Sequence, residues 1–324
     1  MRHPHKGFSL VELMVAITIA LIIIGAIGYF YLGTRQAYRS TDNLSQLQEN
    51  QRVALDVIAR DIRMAGYVGC VNISGGQINV IANTPPSITP STMAQIYKDG
   101  ALWVNPTGIA RVAGTDVIEV RFASGAANVQ SQSVPTANIK IYGNPANFAA
   151  GDVLMVSDCS STDIFKATNV SASTTPVTIA HGAGVNTAVF LSKVYDKNAT
   201  IMAFHDVSYF IGTNPITLNK ELYRFDAGIA TATPEAIAEN VENMQAKYGL
   251  DNNGDGAVDI YGTTIPAGAN VIALQVGMVF VGTDNAVATS AQIYNLLGTP
   301  YTAPNTRLRQ AANITVVLRN QALF

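Results

Sequence analysis

The chain has 324 residues, of which 48% are apolar and only 13% charged, with a formal net charge of -2. That much apolar surface offsets chain entropy and excludes disorder, and the charge balance gives no support for broad binding to nucleic acid. Two cysteines and four histidines exclude a disulfide-dense scaffold, a four-cysteine zinc site and a histidine-rich metal centre.

From Leu13 to Leu32 no residue is charged. As a helix this run spans roughly 30 Å, the thickness of a bilayer's hydrocarbon core. It is longer than the apolar part of a secretory signal, and no small-x-small cleavage site follows it. A retained membrane helix is expected, with Tyr29 and Tyr31 near one interface. Arg2 and Lys6 lie on one side and Arg35 and Arg39 on the other, so positive charge alone does not orient it.

Helix-forming sequence continues without proline to Cys70. Leu44, Leu47, Gln51, Leu55, Ile58, Ile62 and Ala65 recur at steps of three and four, which predicts a helical stripe facing a core. A single helix from Phe8 to Met64 would be roughly 85 Å long. Gly66 and Gly69 are its expected terminators.

After Cys70 the chain is rich in Gly, Asn, Thr, Ser and Ala, with short β-branched runs. Strands are expected at 116–122, 138–142, 152–156, 207–211, 222–225, 271–276 and 314–318, several alternating at period two as half-buried antiparallel strands do. An amphipathic helix is expected from Pro234 to Lys247, a loop over 83–91, and a long excursion from Gly282 to Asn305. The segment 251–259 reads DNNGDGAVD, the front of a calcium loop. Asp251, Asn253, Asp255 and Asp259 would supply side-chain oxygens and Ala257 its carbonyl, while Gly262 stands where a bidentate glutamate is usual. An Asn/Asp/Gly-rich turn explains the same residues without a cation, so calcium and a plain turn both stand. No catalytic nucleophile stands at motif spacing from His181 or His205, and no phosphate-binding glycine loop is present, so no enzyme is expected.

The first residues carry the sharpest motif. Lys6-Gly7-Phe8-Ser9-Leu10-Val11-Glu12-Leu13 joins a short basic leader to a glycine, a phenylalanine, an acid five places after the glycine and an apolar run. This resembles the class III signal of type IV prepilins and pseudopilins. The resemblance implies a leader of residues 1–7, cut after Gly7 by a prepilin peptidase that methylates Phe8. It also implies pairing of Glu12 with the α-amine of a neighbouring subunit, a buried ion pair that would neutralise two costly charges. The segments 49–67, 69–70, 151–159 and 241–249 resemble the PilW minor pilins of type IV pilus systems. That likeness implies an α+β, pilin-like fold: a membrane and assembly helix (8–33), an amphipathic helix half (34–66), and a mainly antiparallel β-sheet head (67–324). It further implies a subunit anchored in the inner membrane by one span, its head in the periplasm, that enters the extracellular pilus. With other minor pilins and the major pilin it would prime assembly and sit at the tip. The alternatives are a head that acts as an adhesin or docks a tip adhesin, and a type II secretion pseudopilin. On the periplasmic side Cys70 and Cys159 would form a disulfide, two buried thiols being the alternative.

Overall fold

The computed structural model describes residues 9–71, 73, 77–84, 89, 91–171, 175–283, 288 and 290–320. Helix α1 runs unbroken over Leu10–Met64, 55 residues, or about 80 Å at 1.5 Å per residue. Its first half packs against nothing among the described residues, and it is long and apolar enough to cross a bilayer. Its outer half buries Asn43, Leu47, Ala54, Ile58, Ala59, Asp61 and Ile62 against the head. The stripe read from the sequence therefore holds at Leu47, Ile58, Ile62 and Ala65, but Leu44 is 40% exposed and Gln51 and Leu55 are half-buried.

Seventeen strands follow among the described residues: Gln77–Val80 (β1), Ala94–Tyr97 (β2), Val117–Ser131 (β3), Ile139–Ile141 (β4), Val153–Ser157 (β5), Ser161–Lys166 (β6), Asn169–Val170 (β7), Val177–Ala180 (β8), Thr200–Thr213 (β9), Lys220–Asp226 (β10), Glu235–Glu239 (β11), Val241–Asp251 (β12), Ile260–Gly262 (β13), Asn270–Val281 (β14), Ile293–Leu296 (β15), Thr299–Thr302 (β16) and Arg309–Val317 (β17). Eleven form one sheet along the path β1-β6-β5-β9-β3-β4-β8-β7, with β10 and β11 continuing from β9 and β2 from β3. A second sheet is ordered β13-β12-β14-β17. All pairings are antiparallel except β1 with β6. The expected strands all lie at these places, within an α+β, pilin-like architecture.

The large sheet is buried on both faces. On β5, Val153 and Met155 join the core beneath α1, while Leu154 and Val156 join a second cluster with Phe165, Ile179 and Tyr195. β9 divides in the same way, with Met202 and Phe204 on one side and Ile201 and Ala203 on the other. Strands covered twice read as continuous apolar runs.

The expected helix over Pro234–Lys247 is instead two strands, β11 and β12. Ala238, Val241, Met244 and Tyr248 are buried at helical spacing, which produced the expectation. Asn240 breaks the run at φ 55°, and each half pairs with a long neighbour, β10 or β14. Tertiary pairing overrides the local pattern. The excursion over 282–305 is present and carries the β15–β16 hairpin; the loop expected over 83–91 lies partly outside the described residues.

Helix and head are joined by a buried polar contact. Asp61, 3% exposed, accepts hydrogen bonds from the Tyr209 hydroxyl at 2.7 Å and from Arg224 Nε at 2.9 Å. Burial, with Asp61 alongside, pushes the Tyr209 hydroxyl above its ordinary pKa, so it stays a donor. One turn further the helix ends. Gly66 adopts φ 79°, and a Cβ there would lie 2.5 Å from Met93 Sδ, so only glycine turns the chain at this point. Asn320 Nδ2 donates to the carbonyls of Met64 and Ala65 at 3.3 and 3.0 Å, the former also accepting from Tyr67 N at 3.0 Å.

Asp61→Ala would leave Arg224 charged and half-enclosed without its partner. The expected cost is about 3 kcal/mol, and melting should fall by about 6–12 °C for a head of this size. Thermal melts of the variant beside wild type measure it.

Candidate functional site

Gly7 and Phe8, the expected cleavage pair, lie outside the described residues. The helix start beyond them is organised around Glu12. Ser9 is the N-cap: its Oγ accepts from Val11 N at 3.3 Å, and Glu12 Oε2 accepts from Ser9 N at 3.0 Å, a reciprocal capping box. The carboxylate thus turns back over the positive end of the helix dipole. It is a preformed acceptor at the helix start, able to take a second N–H donor or an ammonium group.

At the other end of α1, Cys70 and Cys159 form the expected disulfide, with Cα atoms 4.8 Å apart and a sequence separation of 89. A closed loop of this length stabilises by about 4–5 kcal/mol in the chain-entropy account. The bond ties the segment leaving the helix to the β5–β6 turn. Asp158 Oδ1 holds that turn by accepting from Ser160 N, Ser160 Oγ and Ser161 N at 3.2, 2.8 and 3.2 Å, and Lys193 is ion-paired with the same carboxylate. Beneath it, the fully buried Asp163 accepts from the Tyr195 hydroxyl and Ser192 Oγ, both at 2.6 Å, and from Ser192 N. Neither Asp163 nor Lys193 was legible in the sequence, because their partners lie some thirty residues away. Asp61 left a faint trace: it stands beside Ile62, three residues after Ile58, on the flank of the apolar stripe.

The acidic segment forms the β12–β13 hairpin. Asp251 Oδ1 accepts from Asn253 N at 3.1 Å and Gly254 N at 2.6 Å, and its Oδ2 from Gly256 N at 3.0 Å. Asp255 Oδ1 accepts from Ala257 N at 2.8 Å, and Asp259 Oδ2 from Asn252 N at 2.7 Å. Asn253 Nδ2 lies 3.2 Å from both Asp255 Oδ2 and Asp259 Oδ1. Its amide therefore occupies the space between two carboxylates that a cation would claim. Among the described residues no group of three or more His, Cys, Asp or Glu is placed to hold a metal ion. The donor chemistry, all oxygens, suits a hard cation, but the Asn253 amide would have to turn its oxygen inward.

Burial works to raise the Asp251 carboxyl, yet the N–H donors of Gly256, Gly254, Asn253 and Asp255 outweigh it and hold the pKa below the ordinary value. A folded pKa below the unfolded one gives stability that is present above the ordinary carboxylate pKa and is lost as pH falls through the folded value. The amide resonances of Gly254 and Gly256 should therefore hold constant down to about pH 4 and shift only below it. A pH titration followed by NMR checks this.

His181 is buried, with Nε2 2.9 Å from the Ala137 carbonyl and its ring tilted on Phe165, so it fills the core.

Comparison with known proteins gives three matches. The model of the prokaryotic N-terminal methylation motif matches residues 2–28, and that of type IV pilus-assembly protein W matches residues 208–320. A pilin-like protein PilA3 of Thermus thermophilus is 33% identical over 61 residues, 19% of this chain. The match spans about a quarter of that relative, 26% of its length. No solved structure matches. The two matched segments cover the membrane half of α1 and the strands from β9 to β17, and together they support a type IV pilus minor pilin of the PilW family.

Proposed function

We propose that this PilW-family minor pilin is cut after Gly7, stands in the inner membrane with its head in the periplasm, and primes pilus assembly with other minor pilins and the major pilin, remaining at the tip. The observation that carries the reading is the join of two features in one rigid helix. Its first half is apolar and packs against nothing among the described residues, and Glu12 is poised at its start. Such a helix is stable only in lipid or beside other apolar helices. As a helix leaves lipid for a bundle of its like, a carboxylate near one end pairs best with an amine, and the register of that pair sets the axial step. The match to a pilus-assembly family favours the pilus over the secretion pseudopilin. The reading is of a structural subunit, and it assigns the chain no reaction.

Two substitutions test it. Gly7→Val should leave residues 1–7 attached, as read by intact mass. Glu12→Val should leave membrane insertion intact while piliation drops at equal protein level. Wild-type protein that keeps its leader would sink the prepilin reading, and undiminished pili would remove the role given to Glu12.

A second reading, the head as an adhesin or a dock for one, has its own support. Leu102, Val104, Ile216 and Leu218 are 96%, 84%, 88% and 74% exposed. Their two loops emerge side by side, joined by the Thr213 N to Ala110 O bond at 2.8 Å and by the bridge of Arg111 to Gly212. Exposed apolar residues on two loops joined at their bases favour a protein partner.

Calcium is a separate proposal. Asp251, Asn253, Asp255 and Asp259, with the Ala257 carbonyl, would take the ion with reduced affinity, since Gly262 offers no side chain. Binding only to the folded hairpin would stabilise it by about 2.7 kcal/mol at a hundredfold excess over Kd. Melting of chelator-treated protein should rise with millimolar calcium, and Asp255→Ala should abolish the rise. A flat response makes the segment a turn alone.

A further inference from the structure

One histidine in the head is not core filling. His205 Nδ1 is 2.6 Å from Asp226 Oδ2, and His205 Nε2 is 2.7 Å from Ser124 Oγ. No spacing in the sequence points to Ser124, which lies 81 residues before His205. Asp226 is 6% exposed, and its other oxygen accepts from Asp206 N at 3.1 Å and Gly228 N at 3.0 Å. The carboxylate is thus fixed before it meets the imidazole. A carboxylate can only accept, so the Nδ1 proton belongs to the bond with Asp226, and in the neutral ring Nε2 is then the acceptor for the Ser124 hydroxyl. The ring is stacked on Phe122, with centroids 5.0 Å apart. This is the hydrogen-bond order of an activated serine: nucleophile, base, orienting acid.

The backbone around Ser124 is also unusual. The register of β3 on β9 passes from Ser124 to Ala126 and skips Gly125, a bulge. Gly125 has φ 64°, and a Cβ there would lie 3.1 Å from the Ala146 Cβ. Ser124 is half-buried, while Gly125 and Ala126 are exposed. Bulges re-aim a side chain and free backbone groups of the skipped residue from the ladder. The hydroxyl therefore sits half-buried at a bulge in β3, beside small exposed residues, with the Gly125 N–H next to it in the chain as a donor for a developing oxyanion.

We infer that Ser124, His205 and Asp226 form an acyl-accepting site, with Ser124 as a nucleophile toward a small activated acyl donor such as a short-chain ester. Ser124 Oγ bonds to the acyl carbon as its proton passes to His205 Nε2. The ester C–O bond breaks, and the departing alkoxide takes that proton, leaving an acyl-serine and a neutral imidazole. Nothing is oxidised or reduced, and no metal or further reactant is needed. The inference is independent of the pilus reading, since no residue of the stalk takes part.

The test uses the full-length chain in detergent with a fluorophosphonate probe, which labels only activated serines. Ser124 Oγ displaces fluoride from phosphorus, and His205 receives the proton. Peptide mass mapping should find the label on Ser124, and p-nitrophenyl acetate should give a burst of one nitrophenol per chain. Ser124→Ala should abolish both with the melting temperature unchanged, because among the described residues the side-chain bond of Ser124 Oγ is to His205. His205→Gln should slow labelling by about 100-fold or more. Asp226→Asn, which presents the wrong tautomer to Ser124, should slow it as well. Absence of label on Ser124 in folded wild-type protein overturns the inference. So does a labelling rate that His205→Gln leaves unchanged in a variant whose circular dichroism matches wild type.

Discussion

The fold depends on one carboxylate. Asp61 stands on the face of α1 that meets the sheet, and it takes hydrogen bonds from two neighbouring strands at once, Tyr209 on β9 and Arg224 on β10. Apolar contacts from Leu47 to Ile62 supply the larger share of the attraction, about 1.5–3 kcal/mol for each fully buried aliphatic side chain. They are non-directional, however, and a helix could slide or roll along them. A buried acid with two fixed donors accepts one rotation and one axial position. The helix end, the Gly66 turn and the disulfide then follow in their places within ten residues.

The other face of the large sheet is organised on the same plan. Asp163 is fully buried on β6 and holds Ser192 and Tyr195 of the long segment before β9. Arg121, 1% exposed on β3, joins Glu119 and Asp206 across β3 and β9. Burial pushes the Asp206 carboxyl up to about 6, with Arg121 opposing the shift. Asp163 ties β6 to the segment before β9, and Arg121 ties β3 to β9 through Asp206, which makes these contacts markers of register more than sources of stability.

What could be read in advance follows from the range of the interactions. The stalk was legible because its signals are local: an unbroken apolar run, then side chains at helical spacing. The strands were legible wherever a β-branched run stood between turn residues. Residues 234–247 were misread because burial on both faces of β12 hides the period of two, leaving Ala238, Val241 and Met244 at a spacing that suits a helix. The serine beside His205 could not be read, since sequence distance carries no trace of a diagonal contact between β3 and β9. The disulfide was expected from compartment and number. The acidic segment was legible as a turn from its motif, but not as the tip of a hairpin, because the strand before it was read as a helix.

The direction of the strands beside α1 bears on mechanics. Gly282 lies against Asn43, and 22 residues along the helix Asn320 caps Ala65. Strands β14 and β17 run between these two levels, alongside the helix axis. Tension applied to the head and resisted by the stalk would therefore load the β12–β14–β17 ladders in shear, many hydrogen bonds at once, instead of peeling them one by one. The covalent tie from Cys70 to Cys159 carries such a load across the end of the helix, into the large sheet.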